Sequence, residues 1–185
     1  LLATGGGNAV NDYFDRAVDA MNRPDRPIPR GAVSPRTALG FALASFAGAA
    51  SAAATLPVPA LAIAAVNLAA LGAYTQLFKG TPGVGNVVVA YLTGSTFLFG
   101  GAAVGRLTEP AVLVLFVLAG VATLTREIVK DVEDLRGDRE EGLRTLPVAV
   151  GRRPALVAGA VAMLLAVAAS PLPFVGGTFG VAYLA

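Results

Sequence analysis

The run TPGVGNVVVAYLTGSTFLFGGAAVG at residues 81–105, followed after RLTE by PAVLVLFVLAGVATLT at residues 110–125, holds no Asp, Glu, Lys or Arg in either segment. A helix crossing a membrane needs about 20 predominantly apolar residues. The first run is long enough alone, and the second is completed by the helical turn that begins at Arg126. Neither alternates apolar with polar residues as a half-buried strand or a barrel strand would. Both are continuously apolar and rich in Ala, Leu, Val and Gly, so the reading is two transmembrane helices joined by a short turn.

Outward from this pair the same pattern recurs. Residues 37–56 and 57–78 are uncharged and are separated by Pro57 and Pro59, which suit a tight connection between helices. Residues 154–185 are again uncharged, with Pro171, Pro173, Gly176 and Gly177 dividing them into one helix and the start of another. Over 185 residues, 55% are hydrophobic and 14% charged, with a mean hydropathy of +0.68, a balance that a water-soluble domain could hardly keep off its surface. The expected fold class is therefore all-α, a polytopic transmembrane helical bundle forming a single domain over residues 1–185. Small residues let such helices approach closely, because packing drives their association in lipid. The chain opens on Leu1 in apolar sequence and stops at Ala185 inside another apolar run, so it is expected to be incomplete at both ends.

With no Cys and no His, disulfides, thiolate metal sites, the usual zinc ligand sets and imidazole bases are excluded. Any metal must be held by oxygen. Nearly all the charge lies in two windows, residues 12–36 and 126–153, and only Lys79, Arg106 and Glu109 fall elsewhere. Four apolar spans separate the windows, and an even number of crossings returns a chain to the side it left. Both windows, with Lys79 after two crossings, then share one face, which collects every basic residue but Arg106. The positive-inside rule makes that face cytoplasmic. The expected location is the cell membrane, multi-pass, among membrane lipids, and no nucleic-acid partner is expected.

Within the windows one spacing appears twice. NAVNDYFDRAVD carries Asp12, Asp15 and Asp19, and KDVEDLRGD carries Asp131, Asp134 and Asp138, each set at i, i+3 and i+7. On a helix this spacing lines three carboxylates along one face, where like charges repel. An arrangement that costs stability calls for a cation, and hard oxygen ligands suit Mg²⁺, which takes one or two protein carboxylates and completes its shell with water and phosphate oxygens. Asn8 and Asn11 can add neutral oxygen ligands or hydrogen bonds. A solvated acidic loop, or mutual neutralisation of Asp by Arg, is the structural alternative. Arg23, Arg26 and Arg30, in a stretch stiffened by Pro24, Pro27 and Pro29, suit phosphate oxygens, although a topology signal or a headgroup contact would also account for each.

The run NDYFDRAVDAMNRPDRPIPRG resembles the first signature of the UbiA superfamily of intramembrane prenyltransferases, NDxxDxxxD, on Asn11, Asp12, Asp15 and Asp19. The second signature, DxxxD, falls on Asp134 and Asp138, with Asp131 one turn upstream. REIVKDVEDLRGDREEGLRTLP and GNVVVAYLTGSTFLFGG are most similar to the branch of the superfamily that works in archaeal ether-lipid synthesis. The resemblance implies part of a bundle of nine helices around a central cavity, with Asp-rich loops at about residues 8–36 and 126–153. It implies Mg²⁺-dependent transfer of a prenyl group from a polyprenyl diphosphate donor, geranylgeranyl diphosphate in that branch, to a lipid phosphate acceptor, geranylgeranylglyceryl phosphate. The six Asp residues would be metal-binding and catalytic, Lys130 and Arg26 would neutralise further charge, and Tyr74, with Tyr13, Phe78 and Tyr91, would offer an aromatic face to the cation-like prenyl carbon. Members with an aromatic or tetrapyrrole acceptor share the same motifs and remain open. A cation-coupled transporter is the rival from another class, although its carboxylates would be expected near the bilayer midplane.

Overall fold

The computed structural model describes residues 1–78 and 80–184. Lys79, which the topological argument groups with the two charged windows, lies outside the described residues. Secondary structure among the described residues is helical, without a strand, and residues 1–75 and 76–185 form two compact units.

In the first unit, α1 (Leu2–Asn22) packs on α2 (Pro35–Ala53) and touches α3 (Val58–Ala73). Close approach of α1 to α2 requires Gly6, since a Cβ there would lie 2.8 Å from the Phe46 ring and 3.2 Å from the Ala42 carbonyl oxygen. Neither Pro nor Gly interrupts residues 8–22, so α1 runs through the whole first acidic motif. It stops at Arg23, whose φ of −144° and ψ of 64° leave the helical region because the ring of Pro24 disfavours helical geometry in the residue before it. The chain re-enters helix at Ser34, whose hydroxyl accepts the Thr37 amide at 3.0 Å while Pro35 occupies the first turn. The 16 residues of α3 reach about 24 Å at the helical rise, less than the hydrocarbon thickness of about 30 Å. A π-helical turn, Tyr74–Phe78, follows directly, and the boundary between the units falls inside it.

The second unit is built on α4 (Val84–Ala103) against α5 (Pro110–Glu133), with α8 (Arg152–Ala169) packed on α5. Gly94 sets the first contact, as a Cβ there would stand 2.6 Å from the Phe116 carbonyl oxygen. Between α5 and α8 lie the short helices α6 (Leu135–Glu140) and α7 (Leu146–Val150); α9 (Leu172–Val175) and a 3₁₀ turn, Val181–Leu184, follow α8. Ile128, Val132 and Ala155 are buried together, with Leu124, Leu146 and Leu156 against them. This small core ties α5, α7 and α8 together near the second acidic motif.

Three segments are long and apolar enough to cross a membrane: Val84–Ala103, Pro110–Glu133 and Arg152–Val175. Leu113 and Val117 on α5, and Val161, Leu164 and Leu165 on α8, are exposed, as lipid-facing side chains are. The expected all-α, polytopic membrane fold is borne out. The four helices expected between the charged windows are present, but α2 and α3 are not among the three segments: α2 is rich in Ala, Gly and Ser rather than Leu and Val, and α3 is short.

The acidic motifs differ from the expected loops in one respect. Asp12, Asp15 and Asp19 are on α1, Asp131 is on α5, Asp138 is on α6, and Asp134 is the junction between α5 and α6. Backbone hydrogen bonding continues where hydrophobicity stops, because Arg126 to Glu133 contains no residue that breaks a helix, and Lys130 in the last turn of α5 suits its negative end.

Candidate functional site

Both acidic motifs run to the C-terminal end of a long helix, where the macrodipole already disfavours negative charge. The first answers with an arginine. The turn after α1 is closed by the Arg26 amide donating to the Arg23 carbonyl at 3.0 Å and the Arg30 amide donating to the Arg26 carbonyl at 3.1 Å. This geometry returns Arg26 to α1, where its Nη1 donates to Asp12 Oδ1 at 3.0 Å and to Asp19 Oδ2 at 2.7 Å. One nitrogen thus bridges the first and last carboxylates of the motif. The Asp19 side chain is 9% exposed, whereas Arg26 and Asp12 are 34% and 35% exposed; partly exposed pairs of this kind contribute up to about 1 kcal/mol each. Asp15, between them in sequence, is half-buried.

Two neutral donors engage the second motif. Asn86, buried at the start of α4, donates from Nδ2 to Asp131 Oδ2 at 2.7 Å. The Thr145 hydroxyl, before α7, donates to Asp138 Oδ2 at 2.9 Å. Asp134 is exposed, and its side chain makes no hydrogen bond or ion pair with a described residue. The parallel is close: in each motif the carboxylates at i and i+7 are fixed by protein groups, by a cation in the first and by an amide and a hydroxyl in the second.

The remaining candidates divide. Asn8, Arg23 and Arg30 are exposed, and Asn11 is half-buried and engaged. The Lys130 Nζ lies 3.9 Å from Glu127 Oε2, so this cation is already shared with a buried acid. Tyr74 opens the π-helical turn and is half-buried and engaged. The Tyr13 ring already carries a cation, the Arg16 guanidinium, 4.7 Å from its centroid. Three residues that sequence reasoning missed are Asn86, Glu127 and Thr145. Asn86 carried a legible signal, as the one carboxamide in an uncharged span, where polar groups mark function.

Among the described residues no three acidic side chains converge as a ready-made metal cage. The oxygen-only donor set nevertheless fits Mg²⁺, which needs only one or two protein carboxylates and takes its other ligands from water and phosphate.

A model of the UbiA prenyltransferase family matches residues 1–185. A digeranylgeranylglyceryl phosphate synthase of Natronomonas pharaonis is 63% identical over 184 residues, covering 100% of this chain and 66% of the relative. A solved structure of a digeranylgeranylglyceryl phosphate synthase superposes with a TM-score of 0.81 at 36% identity, covering 99% of this chain and 64% of the other. The apo structure of a UbiA homolog from Aeropyrum pernix K1 gives 0.84 at 24% identity, covering 99% and 70%, and is similar in fold. The chain thus spans slightly less than two thirds of the length of the synthases it matches.

Proposed function

Since the chain belongs to the UbiA prenyltransferase family, we propose that the complete protein transfers a geranylgeranyl group from geranylgeranyl diphosphate to geranylgeranylglyceryl phosphate in archaeal ether-lipid synthesis. The identity to synthases of that name supports the choice of substrates. The observation that carries the chemistry is the doubled motif, with its outer carboxylates pre-set by Arg26 in one case and by Asn86 and Thr145 in the other. Residues 1–185 are read as one prenyltransferase domain.

Both motifs are assigned to the diphosphate. Asp15 and Asp134, with Asp12, Asp19, Asp131 and Asp138 beside them, are the residues that would hold Mg²⁺. When bound, such an ion stabilises the negative charge that builds on the diphosphate as it leaves. The allylic C–O bond breaks with its electron pair going to the diphosphate, the acceptor hydroxyl oxygen bonds to the allylic carbon, and the hydroxyl proton passes to the released diphosphate. Arg26 supplies a cation that the diphosphate can take over from Asp12 and Asp19, and Arg23 and Arg30, exposed beside it in sequence, add positive charge for the anionic acceptor. Tyr74 is retained as a residue that lines the prenyl group. The acids of the crossing segments lie in the last two turns of α5, away from the middle of a span, which disfavours a transporter.

The deciding assay offers the complete protein labelled geranylgeranyl diphosphate with either geranylgeranylglyceryl phosphate or 4-hydroxybenzoate. Transfer to the lipid phosphate, abolished by chelator, is expected; label passed only to the aromatic acid rejects the acceptor. We further propose that both motifs face the cytoplasm. Single Cys residues replacing Ala20 and Gly137 should then react with an impermeant reagent from one side and a Cys replacing Thr108 from the other.

A further inference from the structure

The helix α6 separates two environments. Asp138 is engaged by Thr145, whereas Leu135, Arg136, Arg139 and Glu140 line an open cleft of about 400 Å³ together with Glu133 from the end of α5 and Arg152 from the start of α8. Helices α5 and α8 both belong to membrane-crossing segments, so the cleft lies where two spans emerge from the hydrocarbon. Arg136 is occupied, its Nε donating to Glu140 Oε1 at 3.0 Å. Arg139 and Arg152 make no ion pair with a described residue, and neither does Glu133. Arg152 is the first residue of α8, where the helix dipole disfavours a cation, so helix stability does not account for it.

Basic pockets between membrane helices at the water face take phosphate headgroups, and guanidinium forks match phosphate oxygens. Glu133 narrows the choice further. Its carboxylate repels a doubly charged phosphate but accepts a hydrogen bond from a hydroxyl. We propose that this cleft binds the headgroup of an anionic membrane lipid, a phosphodiester bearing a free hydroxyl, with Arg139 and Arg152 on the phosphate and Glu133 accepting from the hydroxyl. This site is additional to the acidic motifs and does not depend on the identity of the reaction.

The complete protein, purified in detergent, tests this by thermal melting with added phosphatidylglycerol, phosphatidylmethanol, phosphatidylcholine or inorganic phosphate, and by native mass spectrometry of retained lipid. Phosphatidylglycerol should raise the melting temperature by a few degrees and remain bound, the zwitterionic lipid should do neither, and Arg139→Gln with Arg152→Gln should lose most of the shift. An equal shift with phosphatidylcholine, or a shift that survives the double substitution, overturns the site. If inorganic phosphate alone reproduces the full shift, the lipid assignment fails in favour of free phosphate. Glu133→Leu, which leaves both arginines in place, should erase the preference for phosphatidylglycerol over phosphatidylmethanol; a preference that persists refutes the role given to the hydroxyl.

Discussion

The two acidic motifs share a spacing and differ in what restrains it. At the end of α1 a single guanidinium nitrogen holds Asp12 and Asp19, so that motif carries its own counter-charge. At the end of α5, Asn86 and Thr145, both neutral donors, hold Asp131 and Asp138. Neutral donors fix geometry and leave the negative charge in place, whereas a cationic partner fixes geometry and competes for the charge. A ligand that brings its own positive charge therefore meets a rival, Arg26, at the first motif.

The sharpest way to break this comparison is Asp134→Ala in the complete protein. Removing the exposed acid between two anchored ones should lower the rate of prenyl transfer by about 10²–10³-fold, the scale of losing one group that stabilises transition-state charge, while circular dichroism stays unchanged. A variant with full activity would remove the second motif from the chemistry. Asn86→Leu should reduce activity by about 10–100-fold, as loss of a group that orients a ligand does. It should also lower stability by about 1–3 kcal/mol, since a half-buried acceptor is left unsatisfied. Thr145→Val should cost less on both counts, because Asp138 sits on the short helix α6, which can shift to meet water, whereas Asp131 is fixed on the long helix α5. Equal effects would mean that the helix carrying the carboxylate does not matter.

Arg26→Gln addresses the other side of the comparison. Without a divalent cation the variant should lose about 1 kcal/mol, the scale of partly exposed ion pairs, because Asp12 and Asp19 then face each other uncompensated. Added Mg²⁺ should recover that loss and stabilise the variant more than the parent, a difference read by melting each with and without the ion. Identical Mg²⁺ responses would remove the rivalry between arginine and metal.

Much of the fold is visible in the residue string because a membrane crossing is a one-dimensional property. Charge-free runs mark α4, α5 and α8 directly, and Pro35 and Pro110 mark helix starts. The helix ends are less legible. Helix α5 extends to Glu133 because its hydrogen bonds are indifferent to the polarity of the side chains, so a break in hydropathy is not a break in helix. The six acids are equally visible, through a repeated spacing that no helix would choose for stability. Their partners are not. Arg26 reaches Asp12 only because a proline-rich turn folds back, and Asn86 is 45 residues from Asp131 in sequence. Arg26, expected as a ligand of phosphate, already has two carboxylates in hand.

The contact at Gly94 has a consequence for the order of assembly. Helices α4 and α5 are consecutive spans joined by a turn, and their backbones meet where α4 presents no side chain. Such a hairpin can pair within the bilayer as soon as both halves are inserted, before α8 has left the ribosome. Asn86 begins the first arm and Asp131 lies near the end of the second, so pairing the arms joins these residues at the open end. The first acid of the second motif is then positioned by the chain's own hairpin closure, and later segments dock against a carboxylate that is already aimed.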